Sequence, residues 1–237
     1  QCALEIEQIC RDAGLPDDVF RTLLIDSPLV AQAIASPHVH AVTFTGSEAA
    51  GRQVAAAAGL AMKKSVLELG GSDPFVVLAD ADLDWAIAQA IPARFTNAGQ
   101  SCISAKRFIV LPEIADRFVE QLQAAISQLC CGDPFDDATT LAPMARTDLR
   151  DELHLQVQQS IAAGARPLLG CAPLDGPGAS YAPSLLDDVR PGMRAYDEEI
   201  FGPVALVLRA RDENDAIRMA NDTRFGLGSS LWSRDLD

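Results

Sequence analysis

The sequence predicts an α/β fold with a mostly parallel sheet. Helical and extended segments alternate along most of the 237 residues, and this alternation is typical of βαβ units, in which a helix connects two parallel strands. Two predicted strands end at Thr45-Gly46-Ser47 and at Glu68-Leu69-Gly70, and ligands gather at such carboxyl ends. Hydrophobic residues make up 49% of the chain and aromatic residues only 5%, so we expect an aliphatic core.

The first alternating set of elements lies before Gly71. Leu4, Ile6 and Ile9 give an apolar side to a helix over 3–13, which Gly14 and Pro16 end. Strand and helix patterns then alternate up to the glycine pair. In chain order they predict a strand over 19–25, a helix over 29–35, a strand over 40–44, a helix over 48–58 and a strand over 65–69.

A second alternating set follows Gly71. The acidic residues Asp80 and Asp82 cap a helix that extends towards Phe95, and Pro92 predicts a kink or an early end within it. A helix over 113–129 has the clearest amphipathic pattern. The other elements are strands over 74–78, 106–111, 166–170, 203–208 and 228–232, and helices over 151–163 and 213–221.

Composition excludes several classes of partner. A formal net charge of −14 repels phosphate backbones and anionic lipids, which argues against a nucleic acid or a membrane surface. The six cysteines show no Cys-x-x-Cys spacing, and the three histidines are not grouped in the sequence with other potential metal ligands. We therefore expect no metal site. Scattered thiols, no leader pattern and no long apolar run predict a cytoplasmic protein.

Two short segments carry the chemistry. Glu68 precedes the glycine pair Gly70-Gly71, and Cys102 ends the polar loop 97–101. A thiol and a separate carboxylate can run a two-stage covalent reaction, in which one captures the substrate and the other activates water. From local chemistry alone, Cys102 is equally compatible with a small buried hydrophobe. Glu68 is likewise compatible with a solvated carboxylate on a strand.

Four motifs, in this order, resemble those of the aldehyde dehydrogenase superfamily. They are Phe-Thr-Gly-Ser at 44–47, Glu-Leu-Gly-Gly at 68–71, Asn-x-Gly-Gln-x-Cys at 97–102 and Glu-Glu-Ile-Phe-Gly-Pro at 198–203. The resemblance implies that 1–70 is the C-terminal part of a Rossmann-like NAD(P)-binding domain and that 71–237 is a truncated catalytic domain. It also implies an internal fragment, incomplete at both ends.

The resemblance implies a role for each motif. Cys102 is the expected nucleophile and Glu68 the base that activates the hydrolytic water. Glu199 is expected on the nicotinamide ribose hydroxyls and Phe201 against the nicotinamide ring. The remaining expected cofactor contacts are Thr45, Gly46, Ser47, Leu69 and Gly70, although hydroxyl residues at strand ends are also common turn formers.

The implied reaction is the NAD- or NADP-dependent oxidation of an aldehyde to its carboxylic acid, through a cysteine thiohemiacetal and a thioester. The backbone N–H of Cys102 and an asparagine outside this chain are expected to hold the oxyanion. The choice between NAD and NADP stays open, because the family reads it with residues upstream of Gln1. A homo-oligomer is implied as well.

The residue pattern over 68–75 and 102–108 most resembles that of the succinate-semialdehyde dehydrogenase branch. The carboxylate of that substrate calls for a basic anchor. Some members of the branch have an arginine where this chain has Thr96. Arg94 and Arg107 are therefore the nearby candidates for the anchor, with a structural role as the alternative for Arg107. Other short aliphatic aldehydes stay open as substrates.

Three rival functions stay open beside this one. Release of the acyl group by coenzyme A would make Glu68 unnecessary. A cysteine hydrolase without a nucleotide would need a histidine near Cys102, and no motif supplies one. The third rival is a catalytically inactive binding or structural fragment, against which the presence of both Cys102 and Glu68 argues.

Overall fold

The computed structural model describes residues 2–176 and 178–235. These residues form two compact units, which divide between Leu69 and Gly70. Each unit has its own sheet and its own buried core. In the part of the chain that is described, no helix has the length and apolar character needed to cross a membrane.

The first unit is a small parallel α/β layer. Its helices are α1 (Cys2–Asp12), α2 (Ser27–Ala35) and α3 (Glu48–Leu60), and its strands are β1 (Ala41–Thr45) and β2 (Lys64–Glu68). β1 and β2 pair in parallel, and this register places Thr45 opposite Glu68. The predicted parallel arrangement is confirmed here, and Ile34, Val54 and Ala58 form the buried core.

The strand predicted over 19–25 is wrong. These residues form a turn and an irregular segment, and the sheet of the first unit contains only β1 and β2 among the described residues. Val19 is 65% exposed and Leu24 is 73% exposed. An apolar run becomes a strand only where a neighbouring strand accepts its backbone hydrogen bonds, and the run alone does not reveal that partner.

The second unit is built on a six-stranded sheet. Its strands are β3 (Asp73–Val77), β4 (Ala105–Val110), β5 (Arg166–Leu169), β6 (Ser184–Asp187), β7 (Val204–Arg209) and β8 (Ser230–Trp232). Their order is β5-β6-β7-β4-β3-β8, and every pairing is parallel except that of β5 with β6. β3, β4 and β7 lie inside the sheet and are almost entirely buried, as expected for parallel strands covered on both faces.

The helices of the second unit are α4 (Leu83–Phe95), α5 (Pro112–Ile126), α6 (Thr147–Ala162), α7 (Arg194–Asp197) and α8 (Glu213–Asn221). The cap predicted for α4 is confirmed, because the Asp82 carboxylate accepts the Trp85 N–H at 3.1 Å. The early end predicted at Pro92 is not found, since α4 continues to Phe95. Burial of Arg94 and Phe95 in this last turn offsets the hydrogen bond that proline removes.

Three elements lie outside the predicted set: β6, α7 and a short 3-10 helix over Thr96–Gly99. Each of them spans four residues, which is too short for a hydrophobic period to be recognised. α6 also begins one turn earlier than predicted, at Thr147. The 3-10 helix and α7 precede the two segments that carry Cys102 and Glu199, so they matter for the site.

A buried ion-pair cluster holds one side of the sheet. Asp187, at the end of β6, is fully buried and accepts hydrogen bonds from Arg209 Nε at 3.1 Å and from Arg166. Burial by itself raises the pKa of Asp187, but the hydrogen bonds from Arg209 and Arg166 outweigh it and lower the pKa below its ordinary value. The ionised carboxylate therefore stabilises the folded state.

We predict that Asp187→Asn lowers the free energy of unfolding at pH 7 by about 2–4 kcal/mol, because it leaves two arginines without their buried partner. A carboxylate whose pKa is lower in the folded state stabilises that state fully at pH values above its pKa in the unfolded chain. This contribution is lost as the pH falls through the pKa of the folded state. The difference between the wild type and the variant should therefore narrow below about pH 4. Urea unfolding at neutral and acid pH measures it.

The matched control is Asp188→Asn, which removes the neighbouring, partly exposed carboxylate. Its ion pairs with Arg166 and Arg209 are both 3.9 Å long, so we expect a loss below about 1 kcal/mol. Equal losses for the two variants, or a loss at Asp187 that is independent of pH, would contradict the assigned role of this cluster.

Candidate active site

The first unit brings Glu68 and the Thr45-Gly46-Ser47 segment together at one end of its sheet. The Gly46 N–H donates to the Glu68 carbonyl oxygen at 3.0 Å, which continues the parallel pairing of β1 and β2 by one residue. The side chains at positions 45, 47 and 68 are exposed. Glu68 is therefore a solvated carboxylate at the end of its strand.

Two other predicted residues of this unit have structural contacts. Ser47 caps α3, because its hydroxyl oxygen accepts the Ala50 N–H at 3.3 Å. Leu69 packs on Gly51 of α3 so closely that a Cβ at Gly51 would lie 2.5 Å from Leu69 Cδ2. The Ser47 hydroxyl therefore forms the common helix-start contact as well as lying at the strand end.

In the second unit, a left-handed turn precedes the thiol. Asn97, Ala98 and Gly99 have φ values of 55°, 54° and 70°, a conformation that non-glycine residues seldom adopt. The Asn97 side-chain amide donates to the Gln100 carbonyl at 2.9 Å, and the Gln100 amide donates back to the Asn97 carbonyl at 3.1 Å. A Cβ at Gly99 would lie 2.3 Å from the Gly202 carbonyl oxygen, so the turn packs directly on the 198–203 segment.

Cys102 lies in the turn between this 3-10 helix and β4, and it is half-buried. Its carbonyl oxygen accepts a hydrogen bond from Lys106 Nζ at 2.9 Å. On another side of the same carbonyl oxygen, a Cβ at Gly71 would lie only 2.3 Å away. The absence of a side chain at Gly71 therefore allows this close backbone approach.

Glu199 joins this cluster. Its Oε1 accepts the Gly71 N–H at 3.1 Å and lies 3.4 Å from Lys106 Nζ. A Cβ at Gly70 would lie 2.2 Å from Glu199 Oε2, so the carboxylate occupies the space that a side chain at that position would fill. The Glu199 side chain is 20% exposed. Phe201, which follows it in the same segment, is partly buried.

The neighbouring Glu198 makes different contacts. Its carboxylate accepts hydrogen bonds from Gln156 Nε2 at 2.8 Å and from Arg194 Nε at 2.9 Å. The hydrogen bond from Arg194 is the main cause that lowers the pKa of Glu198. Of the two adjacent glutamates, Glu199 is the one that contacts Gly71 and Lys106, whereas Glu198 contacts Gln156 and Arg194.

Lys106 is the site residue that the sequence analysis missed. It is fully buried on β4, and Nζ also donates to the Ser101 carbonyl at 2.8 Å. Burial lowers its pKa to about 8, the Arg94 charge acts in the same direction, and the Glu199 and Asp73 carboxylates oppose both effects. Its signal in the sequence is the pair of charges Lys106-Arg107 at the start of an otherwise apolar strand.

Neither arginine suggested as a substrate anchor is available for that role. Arg94 is fully buried and donates to the Val204, Ile200, Gly99 and Gly202 carbonyls and to Ser104 Oγ. Arg107 is also fully buried and donates to the Ser72, Met219 and Ala220 carbonyls. Both therefore fix backbone, and the structural alternative for Arg107 is correct.

The other described thiols do not join this cluster. Cys2, Cys130 and Cys131 are exposed, and Cys10 is partly exposed. Cys171 is buried, and burial raises its pKa to about 11, which suppresses thiolate formation. Within residues 2–176 and 178–235, no three histidine, cysteine or carboxylate side chains are grouped to hold a metal ion.

The chemical groups around Glu199 fit a nicotinamide nucleotide. A carboxylate accepts hydrogen bonds from a ribose diol, and the glycine at position 70 lets the Glu199 carboxylate lie close to the backbone. Phe201 offers an apolar face for a flat ring. Gly70, Glu199 and Phe201 all lie in the second unit.

Comparison with known proteins agrees with these motifs. The model of the Aldehyde dehydrogenase family matches residues 1–237. The chain is 49% identical over 234 residues to the succinate semialdehyde dehydrogenase (NAD(P)+) Sad of Escherichia coli (strain K12), covering 99% of this chain and 51% of that protein. It is 48% identical over 235 residues to a succinate-semialdehyde dehydrogenase (NADP(+)) of Mycobacterium avium (strain 104), covering 99% and 50%.

A solved structure agrees as well. The succinic semialdehyde dehydrogenase of Streptococcus pyogenes, in complex with NADP+, superposes with a TM-score of 0.95 at 37% identity, covering 98% of this chain and 51% of that one. The chain thus spans about half the length of the relatives it matches. Because the family model covers it from end to end, and its α/β fold agrees with that of a solved relative, the chain belongs to the aldehyde dehydrogenase family.

Proposed function

We propose that the protein carrying this chain oxidises succinate semialdehyde to its carboxylic acid with NAD or NADP. The observation that carries the proposal is the cluster of Cys102, Gly71, Lys106 and Glu199, in which the expected nucleophile and the expected ribose ligand share one buried lysine. The names of the relatives support the substrate. In this proposal the first unit is the C-terminal part of the nucleotide-binding domain and the second is the catalytic domain.

Cys102 captures the substrate. Its sulfur forms a bond to the aldehyde carbon and gives a thiohemiacetal, whose oxyanion the Cys102 backbone N–H stabilises. The half-buried turn gives the thiol access to a small molecule while limiting water. When bound, the nicotinamide supplies the acceptor for the hydride that this carbon loses, which leaves a thioester on Cys102.

Glu68 releases the product. Its carboxylate takes a proton from water, and the resulting hydroxide attacks the thioester carbon and expels the Cys102 thiolate. Exposure of Glu68 at the end of β2 suits this role, because a general base for hydrolysis must meet solvent. Coenzyme A release would not need this carboxylate.

In the second unit, Glu199 accepts hydrogen bonds from the ribose diol, Gly70 leaves room for the Glu199 carboxylate, and Phe201 packs on the nicotinamide ring. Thr45, Gly46, Ser47 and Leu69 line the strand ends of the first unit, where the start of α3 favours phosphate. Homo-oligomer formation and a cytoplasmic location belong to this proposal as expectations from the family and the composition.

The substrate carboxylate needs an anchor other than Arg94 and Arg107. Both arginines are fully buried, and their N–H groups are engaged by backbone carbonyls. An exposed cation or backbone N–H groups must therefore meet the carboxylate. Thr96, which stands where some relatives have an arginine, uses its hydroxyl to donate to the Pro92 carbonyl at 2.7 Å.

The central test uses the whole protein that carries this chain, with succinate semialdehyde and either NAD or NADP. We expect Cys102→Ser to reduce the rate of nucleotide reduction at least about 10³-fold, because it removes the nucleophile. Glu68→Gln should keep the single-turnover burst of nucleotide reduction. Its steady-state rate should fall about 10²–10⁴-fold, because the thioester is then hydrolysed without a general base to activate the water.

The matched controls are Cys130→Ser, an exposed thiol outside the motif, and Glu120→Gln, an exposed carboxylate on α5. Both should retain the wild-type rate. A wild-type protein that reduces neither nucleotide with any aldehyde would overturn the dehydrogenase proposal and favour a binding or structural role.

We predict that Glu199→Gln weakens binding of the reduced nucleotide about 10- to 100-fold, because a charge-assisted hydrogen bond to the diol is lost. Fluorescence titration with NADH and NADPH measures this. Glu198→Gln is the matched control, since the neighbouring carboxylate contacts Gln156 and Arg194 instead. An equal effect of the two substitutions would contradict the assignment of Glu199.

We predict that kcat/KM for succinate semialdehyde exceeds that for butanal, which has the same chain length without the carboxylate, by about 10- to 100-fold. A charged hydrogen bond to the substrate carboxylate supplies the difference. Steady-state rates with the preferred nucleotide decide it. Equal values for the two aldehydes would leave the oxidation proposal intact but remove the assignment to succinate semialdehyde.

A further inference from the structure

One fully buried ammonium group lies between the expected nucleophile and the expected ribose ligand. Lys106 Nζ donates to the carbonyl oxygens of Ser101 at 2.8 Å, Cys102 at 2.9 Å and Ser104 at 3.4 Å. Glu199 Oε1 lies 3.4 Å from the same Nζ. The lysine side chain has no exposed surface, so solvent does not supply these partners.

The carbonyl contacts define the shape of the turn around Cys102. Three carbonyl groups within four residues converge on one cation, and this convergence sets the orientation of the peptide groups that flank the thiol. The opposite constraint comes from Gly71, where a Cβ would lie 2.3 Å from the Cys102 oxygen. Two kinds of contact therefore hold the turn: hydrogen bonds from a charged group and close backbone packing.

The carboxylate contact connects this turn to Glu199. Gly71 donates its N–H to Glu199 Oε1 at 3.1 Å, so one oxygen atom of Glu199 is held by both Gly71 and Lys106. Its other oxygen, Oε2, lies over Gly70. A carboxylate fixed through one oxygen presents the other in a single orientation, which lowers the entropy cost of binding a diol.

We infer that Lys106 is a positioning residue that couples the nucleophile turn to the ribose-binding carboxylate: its ammonium group orients the Cys102 turn and fixes Glu199. This inference deepens the proposed function and rests on it for the nucleotide. The role is distinct from that of Arg94 and Arg107, whose donors meet backbone carbonyls and, for Arg94, the Ser104 hydroxyl.

The first readout is the reactivity of Cys102 without nucleotide. Iodoacetamide alkylation, followed by mass spectrometry of the peptide that contains Cys102, measures it in the whole protein. We expect Lys106→Met, which keeps an unbranched side chain of similar size but removes the charge, to slow alkylation at pH 7 about tenfold, because the carbonyl oxygens of the turn lose the cation that orients them around the thiol.

The pH dependence separates a charge effect from simple loosening. The ratio of the wild-type rate to the Lys106→Met rate should be largest below pH 8 and fall above it, since Lys106 loses its proton near that value. The charged groups that act on Lys106 are Arg94, Glu199 and Asp73, and all three are unchanged in the variant. A ratio independent of pH would contradict the assigned charge effect.

The second readout is binding of the reduced nucleotide. Lys106→Met should raise Kd about tenfold, and the double variant with Glu199→Gln should bind no more weakly than Glu199→Gln alone, because the lysine acts through that carboxylate. Additive losses would overturn the coupling. This cycle is measured by fluorescence titration at fixed protein concentration.

Arg107→Met is the matched control. Arg107 is the next residue on β4, is equally buried, and caps backbone carbonyls of other segments, so its loss also destabilises the fold. It should leave the Cys102 alkylation rate and the nucleotide Kd within about twofold of the wild type. Equal effects of the two substitutions would reduce Lys106 to a purely structural residue.

If Lys106→Met does not fold, Lys106→Gln replaces it in both measurements, because the amide keeps an N–H donor without the charge. The two readouts also separate this inference from the proposed function. A wild-type protein that fails to bind nucleotide overturns the dehydrogenase proposal, while the alkylation ratio still tests the turn. A catalytically active protein with unchanged alkylation in Lys106→Met overturns the inference alone.

Discussion

Buried cations hold the irregular segments of the second unit in place. Arg94, Lys106 and Arg107 have almost no exposed surface, and their donors bond mainly to main-chain oxygens. A loop has no strand or helix partner for its carbonyl groups, and a buried carbonyl without a donor costs free energy. One guanidinium or ammonium group can satisfy several of them at once. The loops that carry Cys102 and Glu199 therefore depend on these three side chains.

Close backbone packing is the second constraint on the same loops. Gly70 faces the Glu199 carboxylate, Gly71 faces the Cys102 carbonyl, and Gly99 faces the Gly202 carbonyl, each at a distance that excludes a side chain. Together with the left-handed residues Asn97 and Ala98, they produce a turn with one geometry. Such a turn fits the demand of covalent catalysis that the nucleophile be positioned before the substrate arrives.

The two expected catalytic groups have different surroundings, each of which suits its proposed chemistry. Cys102 is half-buried in a turn whose carbonyl groups are held by a buried ammonium group, which suits a nucleophile that must be oriented before it meets the substrate. Glu68 is exposed at the end of β2, next to Gly46 of the neighbouring strand end. A carboxylate that activates water needs this access, and the parallel pairing of β1 and β2 provides it.

The sequence by itself determined the family, the alternating α/β order and the four motifs, because each depends on local patterns of residue type. Tertiary structure alone decided which backbone or carboxylate each glycine meets, that 19–25 has no partner strand, and that Arg94 and Arg107 are fully buried. It also placed Lys106 between Cys102 and Glu199. Such contacts join residues that lie far apart in the chain, and local residue patterns carry no information about them.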